Sequence, residues 1–141
     1  MATKQQLTGM RGVYLVAAEL SKLGFIASPT SRSTIGADIL ATDRSCQKTY
    51  SVQVKTNART FGFWLLNKRT SEQVSDYHIY VLVNIRKTKS GELIDYFVVP
   101  SKVVAKKMVH EQAKNSDWYS IKLQAVEDYR DNWSLFEESP V

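Results

Sequence analysis

Cysteine is almost absent: Cys46 stands alone, so no disulfide can form within the chain and no cluster has zinc-site spacing. Proline and glycine are sparse, at 3 and 6 of 141 residues, which excludes collagen-like and low-complexity chains. The longest apolar runs fall far short of the roughly 20 residues that cross a bilayer. The opening stretch MATKQQLTGMRG lacks the apolar core of a secretory signal. These absences point to a soluble, cytoplasmic protein with no membrane partner. What is present is an ordinary folded composition, 43% hydrophobic and 23% charged, at a length suited to a single domain over 1–141.

The formal net charge of +5 is unevenly spread. Residues 1–70 hold ten Lys and Arg against only Glu19, Asp38 and Asp43, while residues 71–141 are slightly acidic. A basic half beside an acidic one is the pattern expected when one face meets a polyanion such as nucleic acid.

The pattern predicts a helix over 8–23, with Val13, Val16, Ala17, Leu20 and Leu23 on one side and Gly24 ending it. A short strand at 25–28 is broken by Pro29 and the polar stretch 30–34. Strands over 35–42 and 49–56 follow, joined by a polar turn. The aromatic run FGFWLL at 61–66 is either an edge strand or a packed loop. After a polar segment at 68–76, YHIYVLVNI at 77–85 reads as a central strand buried on both faces. A charged hairpin at 86–92, a strand at 93–99 and a helix from Ser101 to 114 come next. Strand 118–123 and an aromatic-bearing helix at 126–133 close the order. No repeat or linker divides the chain, and the order describes an α/β domain with a mixed sheet.

The two middle strands hold the one constellation that looks chemical. Alternate side chains of a strand share a face, so Gln53 and Lys55 point together while Val52 and Val54 point inward. If the strands pair, Asp38 joins Gln53 and Lys55. Mg²⁺ or Mn²⁺ takes oxygen ligands, here the Asp38 carboxylate, the Gln53 amide oxygen and the Val54 backbone carbonyl. Such an ion activates water and polarises a phosphodiester, with Lys55 orienting the water or stabilising developing charge. A plainer reading makes Asp38 a turn residue and Lys55 a solvated lysine. Against it, an unpaired charge inside an apolar strand is costly.

At these residues the sequence resembles the PD-(D/E)XK nuclease superfamily, which includes restriction endonucleases and Holliday-junction resolvases. The resemblance rests on Leu23-Gly24-Phe25, Gly36-Ala37-Asp38, Gln53-Val54-Lys55 within Val52–Thr56, and Phe63-Trp64. It implies a restriction-endonuclease-like three-layer α/β domain, a central mixed β-sheet flanked by helices. It also implies Asp38 and Gln53 as metal ligands, Lys55 as the catalytic lysine, and DNA as substrate. Gln in place of the second acid is a variation of this superfamily. Relatives also carry a helix glutamate about eleven residues before the Gly-Phe pair, where this chain has Val13. Glu19 lies six residues on, a net rotation of about 240°, and joins the ligand set only if the helix is turned.

Two readings therefore stand: a metal-dependent DNA endonuclease, and a nuclease-fold module that binds nucleic acid without cutting it. Arg11, Arg32, Ser33, Thr56, Arg59, Lys68 and Arg69 are the expected nucleic-acid contacts. Ser33 and Arg32 lie in a polar loop that also reads as a simple linker. His78 is expected in the core or an interface rather than as a base, and Cys46, in a turn without a neighbouring base, is not expected to be a nucleophile. Two cuts by so small a domain would require a homodimer.

Overall fold

A computed structural model of the chain describes residues 1–31 and 36–136. Helix α1 (Lys4–Lys22) begins a turn before the apolar periodicity does. Thr3 and Gln6 form a capping box, in which the Thr3 hydroxyl accepts from the Gln6 N–H at 3.1 Å and the Gln6 amide oxygen accepts from the Thr3 N–H at 2.9 Å. This reciprocal pair satisfies two otherwise unpaired donors and extends the helix. At the other end Gly24 takes φ +96°, a left-handed conformation that costs glycine little.

Strands β1 (Ile26–Pro29), β2 (Ile39–Thr42), β3 (Thr49–Asn57), β4 (Phe63–Leu66), β5 (His78–Thr88) and β6 (Gly91–Pro100) follow. Five of them form one sheet in the order β1-β2-β3-β5-β6, with β3 and β5 parallel and the other pairs antiparallel. The remaining elements are α2 (Ser101–Lys107), β7 (Val109–Ala113), β8 (Ser116–Lys122) and α3 (Leu123–Val126). Strands β4, β8 and β7 make a second, three-stranded sheet.

The central sheet has a core on each face. On one, Val16 and Leu20 of α1 pack over Val52, Val54, Val81 and Val83, and Phe136 closes the layer. On the other, Trp64, Tyr80, Leu82, Phe97 and Ile121 pack beneath the small sheet and α2. Coverage on both sides explains why β5 is buried from His78 to Ile85 and has a near-continuous apolar sequence. Trp64 is held by donating its ring N–H to the Val83 carbonyl at 3.1 Å.

Several expected elements differ. The strand expected over 35–42 begins only at Ile39, leaving Asp38 at its entry; Ile35 lies outside the described residues. The helix expected over 101–114 stops at Lys107, and Val109–Ala113 instead pairs along its whole length with β8. Ladder hydrogen bonds to a neighbouring strand outweigh the helical preference of Glu111, Gln112 and Ala113. Ser101 does not cap α2. It is buried, accepts from the Ser75 N–H at 3.0 Å and donates to the Ser75 carbonyl at 2.8 Å. The helix expected at 126–133 is broken into α3 and 3₁₀ turns at Glu127–Tyr129 and Trp133–Leu135.

Candidate active site

Asp38 enters β2 just beyond the last β2–β3 pair, Ile39 with Val52. Its N–H donates to the Val52 carbonyl at 2.8 Å, and its carbonyl accepts from the Thr30 N–H at 2.9 Å. These bonds fix the backbone and aim the carboxylate along β3. Asp38 Oδ2 accepts from the Val54 N–H and from the Gln53 side-chain amide, both at 2.8 Å. Gly36, two residues earlier, has φ +86°, and a Cβ there would stand 2.5 Å from the Gln73 amide nitrogen. A larger residue at Gly36 would be strained by that φ and would have to push the end of the Gln73 side chain aside.

Val52 and Val54 belong to the core under α1, so Gln53 and Lys55 project from the opposite face. Lys55 is half-buried, and desolvation lowers its pKa from the usual lysine range while the Asp38 charge partly opposes this. The parallel pairing sets Gln53 beside Tyr80 and Ser51 beside His78. Burial pushes the Tyr80 phenol upward, a hydrogen bond to the buried Thr70 opposes the shift, and the Asp38 charge adds to it. His78 Nδ1 lies 2.7 Å from the Ser51 hydroxyl, and its Nε2 is buried without a partner among the described residues. Burial lowers the His78 pKa, consistent with the expected core histidine.

Sequence reasoning missed Tyr80 and Thr70. The only signal was a tyrosine inside an apolar run; its position beside Gln53 depends on a parallel pairing that no local pattern announces.

Lys55 opens into a cleft of about 540 Å³ between the first turn of α1 and the segment joining β3 to β4. Lys4, Gln5 and Thr8 line one side, and Arg59, Phe63 and Leu65 the other. The α1 residues facing this cleft carry no acid, while Val13 packs against the core. Glu19 is not brought to Asp38: it pairs with Lys22 at 2.9 Å and acts on Tyr96, under the sheet face that α1 covers.

The expected nucleic-acid contacts divide. Arg59 is exposed in the cleft, and Lys68 and Arg69 are exposed on the 3₁₀ turn Lys68–Ser71. Thr56 borders the cleft, but its hydroxyl is buried against Gly12. Arg11 is engaged elsewhere, in a two-pronged pair with Glu92 at 2.9 and 2.6 Å that ties α1 to the start of β6. Arg32 and Ser33 lie outside the described residues.

A divalent metal is implied by this type of fold. Among the described residues no three His, Cys, Asp or Glu side chains gather into a metal site. The available donors are the second Asp38 oxygen, the Gln53 amide oxygen and the Val54 carbonyl, which faces the same side of the strand as the N–H bonded to Asp38. All are hard oxygens suited to Mg²⁺ or Mn²⁺. The Gln53 amide now turns its NH₂ toward Asp38, so presenting its oxygen takes a half-turn of that group. With one carboxylate, the set fits an ion that keeps several of its waters.

The arrangement of the central mixed sheet and its helices is a restriction-endonuclease-like fold. The chain is similar to Hjc, a Holliday junction resolvase from Archaeoglobus fulgidus, at 16% identity and a TM-score of 0.52 over 84% of this chain and 87% of that one. It is also similar to the bacterial homing endonuclease I-Ssp6803I, at 17% identity and a TM-score of 0.58 over 96% of this chain and 91% of that one. No protein-family model matches the chain, and no curated protein matches it in sequence.

Proposed function

We propose that this protein is a Mg²⁺- or Mn²⁺-dependent DNA endonuclease. The observation that carries the reading is the meeting of Asp38, Gln53 and the Val54 backbone beside the half-buried Lys55, which itself lines a cleft with further cations. A cation held there would polarise the phosphodiester and activate water. Asp38 and Gln53 would hold it. Lys55 orients the attacking water or stabilises charge on the phosphate, and its partial removal from solvent strengthens that interaction. Lys4 and Arg59 hold the strand through its phosphates. A double-strand cut would take two copies, one site for each strand.

A second reading, binding without cleavage, is favoured by the lone carboxylate and the acid-free face of α1. Nicking of supercoiled plasmid with Mg²⁺ or Mn²⁺ separates the two. The endonuclease gives metal-dependent nicking that Asp38→Ala abolishes. Plasmid retarded on a gel at low salt, but never nicked with either metal, identifies the binding module instead.

A further inference from the structure

The outer face of the small sheet is open. Trp64 and Ile121 point inward and are buried, so alternation turns Phe63 and Leu65 of β4 and Trp118, Ser120 and Lys122 of β8 outward. Phe63 stands opposite Lys122 and Leu65 opposite Ser120, with Trp118 two residues further along β8. The Lys122-to-Trp118 span is about 13 Å at the usual rise of a strand. Trp118 is 52% exposed, Leu65 48% and Phe63 40%. Together they line a trough of about 410 Å³. Phe63 and Leu65 also line the Lys55 cleft, so the two depressions adjoin across these side chains.

We propose that this trough binds unpaired nucleobases of a strand whose backbone passes through the Lys55 cleft, with Trp118 as the stacking platform. The inference rests on the DNA-binding part of the function proposed above and adds a substrate class: DNA with an unpaired or splayed segment beside the cleavage point. Every base has a π face, so an exposed indole next to a cationic track accepts unpaired bases with little regard to sequence. Paired bases are already stacked on one another and leave Trp118 nothing to bind. Lys4, Lys55 and Arg59 supply the track in the cleft; in the trough Lys122 stands at the Phe63 end and Glu111 opposite Trp118, so the trough itself offers a stacking surface with no net charge. A second copy of the chain is a poorer occupant. Three apolar side chains interrupted by Ser120, Lys122 and Glu111 lack the charge-depleted centre of a subunit interface, which buries roughly 800 Å² per partner.

Fluorescence anisotropy without metal, using labelled oligothymidine and a labelled blunt duplex at one salt concentration, tests this. Trp118→Ala should weaken oligothymidine binding about 5- to 100-fold, with duplex binding changed less than about twofold. Trp118→Phe should keep most of the affinity, and both variants should melt like the parent because the side chain is at the surface. Unchanged oligothymidine binding, or equal losses on both probes, overturns the platform while leaving DNA binding intact. If the parent binds neither probe, the DNA-binding reading fails and takes this inference with it. Conversion of a dimer to monomer by Trp118→Ala, without loss on oligothymidine, would identify a subunit interface and also overturn it.

Discussion

Asp38 accepts two N–H donors on one oxygen, and one of them comes from a neutral side chain where a second acid would supply charge. Gln53→Glu puts two carboxylates side by side, and without metal their repulsion strains the folded state. A divalent ion relieves that repulsion. Thermal melting should therefore show the variant less stable than the parent without metal, and more strongly stabilised by added Mg²⁺. Equal Mg²⁺ shifts in both proteins would mean that position 53 does not touch the ion. Lys55 has a separate role. Lys55→Ala should reduce nicking by about 100-fold or more, the scale of losing one preorganised charge-stabilising group. DNA binding should remain within a few-fold. Binding and cleavage falling in parallel would reduce Lys55 to a phosphate contact.

Helix α1 is seated on β3 by a missing side chain. Gly12 is buried, and a Cβ there would lie 1.7 Å from the Thr56 hydroxyl oxygen. Gly9, on the same helix, has nothing within 4 Å of an added Cβ. The two positions should respond with opposite signs. Gly9→Ala should stabilise by about 0.5–1 kcal/mol through helix propensity. Gly12→Ala should destabilise by about 1–3 kcal/mol, because the overlap exceeds that gain and forces α1 off the sheet. In a Thr56→Ala background, which removes the nearest atom, the cost should shrink. Denaturant midpoints of the single and double variants measure this coupling. Equal effects at Gly9 and Gly12 would show that α1 rides higher over β3. The Arg11–Glu92 pair belongs to the same seating, since it joins the helix to the β5–β6 hairpin across 81 positions of sequence.

The whole molecule is organised around one sheet with two cores, and its outer edge is tied by charge. Asp95 on β6 accepts from Arg86 at 2.6 and 3.0 Å and from Arg130 at 2.9 Å. Arg130 also lies over the Phe97 ring, 4.7 Å from its centre, and bridges to the Phe97 backbone. This network brings the C-terminal turns back to the sheet. It also predicts how acid unfolds the protein. The folded pKa of His78 lies below 6.5, so as pH falls through 6.5 the unfolded chain takes up a proton first and stability declines toward the folded value. The Asp95 pKa is held below 3.8, chiefly by Arg86, so its contribution is intact above 3.8 and is lost as pH falls through its folded value. Denaturant midpoints should drop in two stages, and His78→Gln should remove the first. A midpoint unchanged from neutrality to about pH 5 would show that folded His78 protonates freely.

Local patterns made much of this chain legible. Helical spacing marked the buried stripe of α1, Gly24 marked its end, and an apolar run marked β5 as covered on both faces. Strand alternation separated Gln53 and Lys55 from Val52 and Val54, and the hairpin brought Asp38 to them as expected. These features depend on neighbours a few residues away or on one tight turn. Other features arose from pairings between distant segments. The parallel β3–β5 register chose Tyr80 as the neighbour of Gln53, and pairing with β8 turned VHEQA from helix to strand. The hydrogen bonds that Arg11 donates to Glu92 tied it to the β5–β6 hairpin. The same small sheet left Trp118 facing outward. Ladder hydrogen bonds and two-sided burial are long-range terms, so the tertiary structure decided which side chains meet and which remain exposed.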